Sequence, residues 1–242
     1  MSKATYSNHQ HYIDEGWSEE PKETFKSLLN ILGKHTGTDP LSVLDVGCAA
    51  GELLGFLSTQ FEHCDLVGVD VTQSLLDVGS RLLPEADFSL ASALDLPQSF
   101  SGRFDLVTSI GCMSIFNELE ILAYWQNLYR AAKPGGVIVV LSPLNEFGVD
   151  AMIRHRKRTG GSPGSWETGW NIFSCETISE IVNGLGANVE FERFQIPFSI
   201  TKRDDPIRTW TMQTQDRDLQ LTNGLKLMVD HYFMIVHKPS DT

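Results

Sequence analysis

The sequence predicts a doubly wound α/β fold, in which a mostly parallel β-sheet carries helices on both faces. Five short apolar segments alternate with segments whose apolar residues repeat at helical spacing, which is the order of consecutive β-α-β units. The first apolar segment runs directly into a turn of small residues and then into a helical pattern. The length of 242 residues, with 41% hydrophobic and 21% charged residues, is ordinary for one globular domain of this class.

The apolar segments define the predicted strands of the parallel sheet. They are short, as expected for strands that are buried on both faces. They cover Ser42–Val46, residues 66–69, residues 86–91, Phe104–Ile110 and residues 137–141. A sixth strand is predicted over residues 189–196, and a last one over residues 231–236.

Helices are predicted from apolar spacing and from residues that begin or end helices. Pro21 begins the first helix and Gly33 ends it. The second follows the small-residue turn, and Pro84 ends a third over residues 73–83. Asn117 caps a fourth helix and Ser174 begins a fifth, because both side chains can accept from the backbone N–H groups of a first helical turn.

An added hairpin is predicted near the C-terminus, over residues 207–222. Residues 208–213 and 219–222 alternate in the manner of strands and flank a polar turn. The pattern allows two roles, either extending the sheet or forming a flap at the functional end.

The turn after the first strand is the most informative stretch of the chain. Gly47 and Gly51 flank Cys48 and Ala49, so the backbone can approach a ligand closely. The N-terminus of the helix that follows offers free N–H groups. The turn is therefore predicted to bind a ligand.

A second strand end supports this prediction. Asp70 ends the second strand, 19 residues after Gly51, where an acidic residue takes the hydroxyls of a ribose. A dinucleotide and S-adenosylmethionine are the two ligands that fit such a unit. Dinucleotide turns read G-x-G-x-x-G, whereas here Asp45 stands two residues before Gly47. A carboxylate there would repel a pyrophosphate and help to hold an ammonium group.

The pattern Asp45-x-Gly47-x-Ala49-x-Gly51, followed by Asp70, resembles the first motif of class I S-adenosylmethionine-dependent methyltransferases, D/E-x-G-x-G-x-G. Ala49 replaces the middle glycine. The Lys-Pro-Gly-Gly step at residues 133–136 is a further shared feature, and the resemblance covers roughly residues 41–196 plus the last strand. It implies a Rossmann-like methyltransferase fold of seven strands, with the last strand antiparallel between the fifth and sixth.

The resemblance also implies which residues contact S-adenosylmethionine. Ser92 stands where family members often carry an aspartate that accepts from the adenine amino group, and Ala93 keeps the neighbouring backbone contact. In the N-terminal arm, residues 1–40, either Tyr12 or Trp17 could shield the reactive methyl group; the alternative is that these aromatic residues only pack the arm against the domain. The expected cofactor-binding residues are Asp45, Gly47, Cys48, Ala49, Gly51, Asp70, Val71, Ser92, Ala93, Ile110, Gly111 and Tyr12.

The methyl acceptor is expected between two irregular regions. Residues 142–172 are long enough to cover the active site, and they contain the dense basic run at residues 154–158. Arg154 or Arg156 would hold an anionic acceptor, such as a carboxylate or phosphate. The alternative is a solvated helix face near acidic residues. Met113 and Phe116, in the loop after the fourth strand, are further candidate acceptor contacts.

A general base is needed only if the acceptor must lose a proton. His155, Glu146 and His11 are the candidates, together with His231, although no motif surrounds any of them. The sequence shows no acidic cluster typical of metal-dependent members, so no metal is predicted. Two other functions are open to the sequence: a non-catalytic binding module that keeps the fold, and a dinucleotide-dependent oxidoreductase, which the absent G-x-G-x-x-G disfavours.

Charge and cysteine content restrict the partners. The net charge of −12 argues against broad binding of nucleic acid. The four cysteines show no metal-ligand spacing and fit a reduced, cytoplasmic protein. The N-terminal segment lacks the apolar core of a signal peptide, and no membrane span is predicted. A small-molecule acceptor is expected, with both a monomer and a homodimer left open.

Overall fold

The central sheet has the predicted doubly wound order. The computed structural model describes residues 17, 20–36, 39–40, 42–159, 161–215 and 219–240. β1 pairs in parallel with β2 on one side and with β4 on the other, and β3 and β5 extend these two sides. The five parallel strands are β1 (Ser42–Val46), β2 (Asp65–Asp70), β3 (Asp87–Leu90), β4 (Phe104–Ile110) and β5 (Ala132–Asn145).

Helices cover both faces of this sheet and form one core on each side. The helices are α1 (Glu23–His35), α2 (Glu52–Ser58), α3 (Gln73–Leu82), α4 (Ile121–Ala131) and α5 (Cys175–Gly184). On one face, α1 and α2 bury Leu28 and Leu54. On the other, α4 and α5 bury Trp125 and Ile178. Each such side chain contributes about 1.5–3 kcal/mol relative to an exposed position, so these two apolar faces hold the layers together.

The start of α4 differs from the prediction. Asn117 does not cap this helix, which begins at Ile121. The Asn117 side chain accepts from the Leu119 N–H at 2.9 Å, and the Glu120 carboxylate accepts from the Asn117 N–H at 3.1 Å. These local bonds make a separate turn before the helix, an outcome that asparagine favours as readily as capping. At α5, by contrast, Ser174 caps the helix as predicted, accepting from the Thr177 N–H.

The chain between the end of β5 and α5 folds into short strands. Two antiparallel pairs form here, β6 with β9 and β7 with β8, and β10 lies parallel to the end of β5. The strands are β6 (Arg154–His155), β7 (Arg158–Thr159), β8 (Ser162–Pro163), β9 (Glu167–Thr168) and β10 (Phe173–Ser174). The basic run therefore lies on β6, the start of β7 and the two residues between them, which corrects the alternative that placed it on a helix face.

Buried Asn171 fixes this segment to the loop after β4. Its side chain accepts from the Ile153 N–H at 2.7 Å and donates to the Phe116 carbonyl at 2.8 Å. Its own N–H donates to the Ser114 carbonyl at 2.9 Å. Two of these hydrogen bonds hold the segment against the loop after β4, and the bond with Ile153 joins two parts of the segment itself, all from one fully buried residue.

The C-terminal strands complete the sheet in an antiparallel sense. β14 lies between β5 and β11 and runs antiparallel to both, which confirms the predicted placement of the last strand. The hairpin extends the sheet, because β13 pairs with the first residues of β14. These strands are β11 (Val189–Arg193), β12 (Trp210–Met212), β13 (Gln220–Thr222) and β14 (Met228–His237). Among the described residues, no helix is long and apolar enough to cross a bilayer.

Candidate functional site

The turn after β1 lies where the order of the sheet reverses. The chain passes from β1 to β2 and β3 on one side, and then crosses to β4 on the other. Ligands of open α/β sheets bind at this point, beyond the carboxyl ends of the strands. The N–H groups of Gly47 and Cys48 both donate to the Val69 carbonyl, at 2.8 and 3.0 Å. The turn is therefore bonded directly to the end of β2.

Asp70 connects the two strand ends through its side chain. One carboxylate oxygen accepts from the Ala49 N–H at 3.0 Å, and the other accepts from the Thr72 N–H at 2.9 Å. A carboxylate has about four acceptor positions, so both oxygens keep capacity for further donors. The half-buried carboxylate is thus fixed in orientation at the rim of the turn and remains able to accept from a ligand's hydroxyl groups.

Asp45 is buried beneath the turn and carries a perturbed pKa. Its side chain is 3% exposed and accepts from the Thr108 hydroxyl at 2.8 Å. Burial raises the pKa of Asp45 to about 7; the Thr108 hydrogen bond opposes this shift, and the charge of Asp70 adds to it. Near neutral pH this carboxyl group is poised between its two protonation states, and a nearby cation would favour the charged one.

The glycines of the turn are required by packing inside the protein. Gly47 and Gly51 have positive φ angles of 78° and 76°, which favour glycine. A Cβ at Gly47 would lie 2.9 Å from Cys112, and a Cβ at Gly51 would lie 2.6 Å from the Phe88 ring. Ala49, at φ 48°, adopts the same left-handed region with a Cβ. The turn depends on small residues because neighbouring side chains already fill the space behind it.

The remaining predicted cofactor residues line the same edge of the sheet. Val71 is 65% exposed immediately after Asp70. The Ser92 hydroxyl accepts from the Leu94 N–H at 3.2 Å, so it closes a local turn. Ala93 is buried, half-buried Ile110 ends β4, and Gly111 donates to the Leu141 carbonyl. Cys48 is also buried, and burial raises the pKa of its thiol, so its contribution to this edge comes from its backbone.

The N-terminal aromatic residue that the structure describes packs against α2. The Trp17 indole N–H donates to the Ala50 carbonyl at 3.0 Å, and its ring lies over Gly55. This arrangement matches the packing alternative for Trp17. Tyr12 and His11 lie outside the described residues.

The loop after β4 does not expose Met113 and Phe116, the two side chains expected to contact the acceptor. Met113 is fully buried and Phe116 is 5% exposed, with the Phe116 ring 4.9 Å from that of Tyr124. Both side chains belong to the core below the loop. Glu146, just beyond β5, is exposed and accepts from the Tyr232 hydroxyl at 3.0 Å. Burial, followed by that hydrogen bond, raises the pKa of Tyr232 to about 12.

Two histidines of this region are held in the neutral form. Burial lowers the pKa of His155, and it lowers the pKa of His231 to about 4. His231 lines a cavity of about 510 Å³ between the chain after β11 and strands β13 and β14. A lowered pKa makes each imidazole a weaker proton acceptor, and this disfavours His231 as a general base more than His155.

The basic run presents two arginines on one aromatic side chain. Arg154 and Arg156 lie over the Trp166 ring, at 5.8 and 4.9 Å from its centre, while His155 faces inward between them. Lys157 instead pairs with Asp205 at 3.2 Å. Within the described part of the chain, neither Arg154 nor Arg156 forms a salt bridge. The two guanidinium groups are therefore oriented by Trp166 and keep their charge available to a ligand.

Sequence reasoning missed Thr108 and Trp166. The parallel register pairs Asp45 with Thr108, so an alignment of the first and fourth strands would have revealed the contact. Trp166 is 55% exposed in an irregular segment, and its position opposite the arginines depends on the pairing of β6 with β9. No local sequence pattern signals that pairing.

Comparison with known proteins identifies related chains. Residues 43–136 match a family described as methyltransferase domain. Malonyl-[acyl-carrier protein] O-methyltransferase of Priestia megaterium is 23% identical over 75% of this chain and 66% of its own length. Trans-aconitate 2-methyltransferase of Deinococcus radiodurans is 31% identical over 60% of this chain and 57% of its own. A tRNA N(3)-methylcytidine methyltransferase of Schizosaccharomyces pombe is 31% identical over 48% of this chain and 40% of its own.

The fold is shared with solved structures. The 1,6-didemethyltoxoflavin-N1-methyltransferase of Burkholderia thailandensis, solved with 1,6-didemethyltoxoflavin and S-adenosylhomocysteine, superposes with a TM-score of 0.59. The two chains are 14% identical, over 90% of this chain and 79% of the other. The chain covers no more than about two thirds of any of the three curated relatives.

Proposed function

Because this chain belongs to the class I S-adenosylmethionine-dependent methyltransferases, we propose that it transfers a methyl group from S-adenosylmethionine to an O or N atom of a small, anionic molecule. One observation carries the proposal: the Asp70 carboxylate is bonded to the turn after β1 and keeps acceptor capacity at its rim. Asp45 lies beneath the same turn. Two acidic side chains at the switch point of the sheet suit a ligand with a ribose and a positive charge.

The residues of the site fit this cofactor. The rim carboxylate of Asp70 would accept from the ribose hydroxyls, and exposed Val71 would contact the adenine. The backbone of residues 47–51 would hold the methionine part, and ionised Asp45 would favour its ammonium group from below the turn. When bound, S-adenosylmethionine supplies a methyl group on a positively charged sulfur. Alignment of the acceptor with that methyl group and exclusion of water provide much of the catalysis in such a transfer.

The acceptor part of the proposal rests on Arg154, Arg156 and Trp166. Guanidinium groups bind carboxylate and phosphate through two parallel hydrogen bonds, and stacking on an indole restricts their motion before binding. Residues 142–172 lie against the loop after β4 through Asn171, so the pair belongs to the same end of the sheet as the turn. Malonyl and trans-aconitate, named for two relatives, are both carboxylates.

A small molecule is favoured over nucleic acid on charge. The net charge is −12, and within the dense basic run the charge of Lys157 is already paired with Asp205. Phosphate-backbone binding needs a broad basic surface. One relative at a similar level of sequence identity is named for methylation of tRNA, so tRNA belongs among the test substrates. The four free cysteines support a reducing, cytoplasmic location.

The acceptor site has a direct test. Methyl transfer from radiolabelled S-adenosylmethionine is measured with small carboxylic acids, with their amides as neutral counterparts, and with tRNA. Transfer to the acids alone is expected. With an acid that is methylated, Arg154→Ala and Arg156→Ala should raise the acceptor KM while leaving cofactor affinity unchanged.

Arg158→Ala is the matched control, since Arg158 belongs to the same run and is exposed. An equal effect of all three substitutions would assign the run to general electrostatics and reject the stacked pair as the acceptor site. Calorimetric binding of S-adenosylhomocysteine without turnover of any substrate class would favour the alternative of a non-catalytic binding module.

A further inference from the structure

Three potential metal ligands converge at the end of the sheet remote from the turn. The His-His-Glu cluster consists of His35 at the end of α1, Glu190 on β11 and His237 at the end of β14. One potential ligand atom from each residue lies within 4.8 Å of the other two. His237 pairs with Val137, at the start of the parallel run of β5, so this cluster lies at the opposite edge from Asp45 and Asp70.

Packing of the fold brings the three residues together. β11 and β14 are antiparallel, with Glu190 opposite Ile235, so Glu190 and His237 are diagonal neighbours on one face of the sheet. This is the face that α1 covers, because Ile235 shares an apolar core with Leu32 of α1. The last turn of α1 therefore delivers His35 to the cluster, and three separate elements each supply one ligand.

The distance between the two imidazoles suits a shared metal ion. His35 Nδ1 and His237 Nε2 are 3.2 Å apart. Two nitrogens at about 2.0–2.1 Å from a tetrahedral zinc ion are separated by about 3.3–3.4 Å. The observed separation of the two nitrogens is therefore within about 0.1–0.2 Å of the value for two zinc ligands, and rotation of the exposed Glu190 side chain would supply the third.

We propose that the His-His-Glu cluster binds one divalent transition-metal ion, with Zn²⁺ as the physiological candidate and water as the fourth ligand. Two imidazoles and a carboxylate are donors that Zn²⁺, Co²⁺, Ni²⁺ and Cu²⁺ accept, whereas Mg²⁺ and Ca²⁺ prefer oxygen ligands. The ion would cross-link α1, β11 and β14. The cluster lies at the edge of the sheet opposite the turn, so the ion is expected to affect the stability of the fold and not the binding of the cofactor.

The simpler alternative is a hydrogen bond between the two histidines with no ion. Lys34 and Glu192 form a salt bridge at 3.0 Å beside the cluster, so an ordinary polar surface also surrounds it. The two cases differ in what added metal does, because only a coordinated ion changes its own spectrum and stabilises the folded state by an amount that grows with the logarithm of the metal concentration above Kd.

The test uses the tag-free full chain after dialysis against a chelator. Titration with Co²⁺ is followed by visible absorption, and Zn²⁺ is then added as a competitor. We expect one equivalent of Co²⁺ to give the intense ligand-field bands of a tetrahedral site and Zn²⁺ to abolish them. Zn²⁺, unlike Mg²⁺, should also raise the midpoint of thermal unfolding.

Substitutions assign the ligands. His237→Ala and Glu190→Gln change exposed side chains, so both variants should fold. Each should weaken Co²⁺ binding by at least about tenfold, since even the loss of a partner that orients a ligand costs about 10–100-fold. Glu192→Gln is the matched control on the same strand and face, and His63→Asn controls for an exposed histidine elsewhere. Absence of tetrahedral bands in the parent chain, or their persistence in His237→Ala, would overturn the proposal.

Discussion

Replacement of Asp45 by asparagine should stabilise the protein as the pH rises. In the folded state, burial raises the pKa of Asp45 to about 7 from an ordinary value of 3.8. The folded protein therefore holds a proton that the unfolded chain releases between these two pH values. The contribution of Asp45 to stability is greatest below pH 3.8, declines as the pH rises toward 7, and is constant above it. Asparagine has nearly the same shape and never ionises, so it avoids this loss.

The magnitude follows from the difference between the two pKa values. Each unit corresponds to about 1.36 kcal/mol, so ionisation of Asp45 costs the folded state about 4 kcal/mol at pH 8 and about 1.6 kcal/mol at pH 5. An asparagine amide differs from a protonated carboxyl group in its hydrogen bonds, but that difference is the same at both pH values. The signature is therefore the change with pH: the stability gained by Asp45→Asn should be about 2–3 kcal/mol larger at pH 8 than at pH 5.

Urea unfolding of the parent and the variant at both pH values measures this quantity. Asp77→Asn serves as the control for the chemical change, because Asp77 is an exposed carboxylate on α3. Calorimetry of Asp45→Asn should show weaker binding of S-adenosylmethionine at pH 8, since the carboxylate that favours the cation is gone. A pH-independent difference in stability would refute the buried, proton-holding state of Asp45.

Two further predictions concern the rim and the packing of the turn. Asp70→Ala should weaken binding of S-adenosylhomocysteine by about 1–3 kcal/mol, the cost of unpaired charge-assisted hydrogen bonds; unchanged affinity in calorimetry would exclude a ribose contact. Gly51→Ala should destabilise the protein more than Gly102→Ala in thermal unfolding. Both glycines have positive φ, which costs alanine about 1–2 kcal/mol. Only at Gly51 would the new methyl group meet the Phe88 ring, adding about 1–3 kcal/mol of overpacking. Equal losses would contradict this packing role.

The parts of the fold that were predictable are those encoded locally. The parallel strands contain short segments rich in apolar residues, and Ser174 caps α5 as its position indicated. The turn at residues 47–51 was predictable because its backbone and packing require small residues, and a cluster of glycine and alanine is visible in the sequence itself. The prediction that Asn117 caps α4 was wrong because an asparagine that closes a turn and one that caps a helix give the same local sequence pattern.

The parts that were not predictable arise from pairing between distant segments. The stacking of Arg154 and Arg156 on Trp166 needs β6 beside β9, and the His-His-Glu cluster needs α1 packed over β11 and β14. The reason that Gly51 must be glycine lies in Phe88, on another strand. The sequence pointed to Arg154, Arg156 and Gly51 as residues of interest, but the contacts of all these residues are set by tertiary packing.

The pKa of Asp45 links the design of the turn to the charge of its ligand. A buried carboxylate that is partly ionised near neutral pH, close enough to Asp70 for the two charges to repel, lowers the stability of the free protein. A pyrophosphate would add negative charge to this arrangement, whereas a sulfonium and an ammonium would relieve it. On the proposed function, the same carboxyl group would destabilise the free turn when ionised and would favour a cationic ligand over an anionic one.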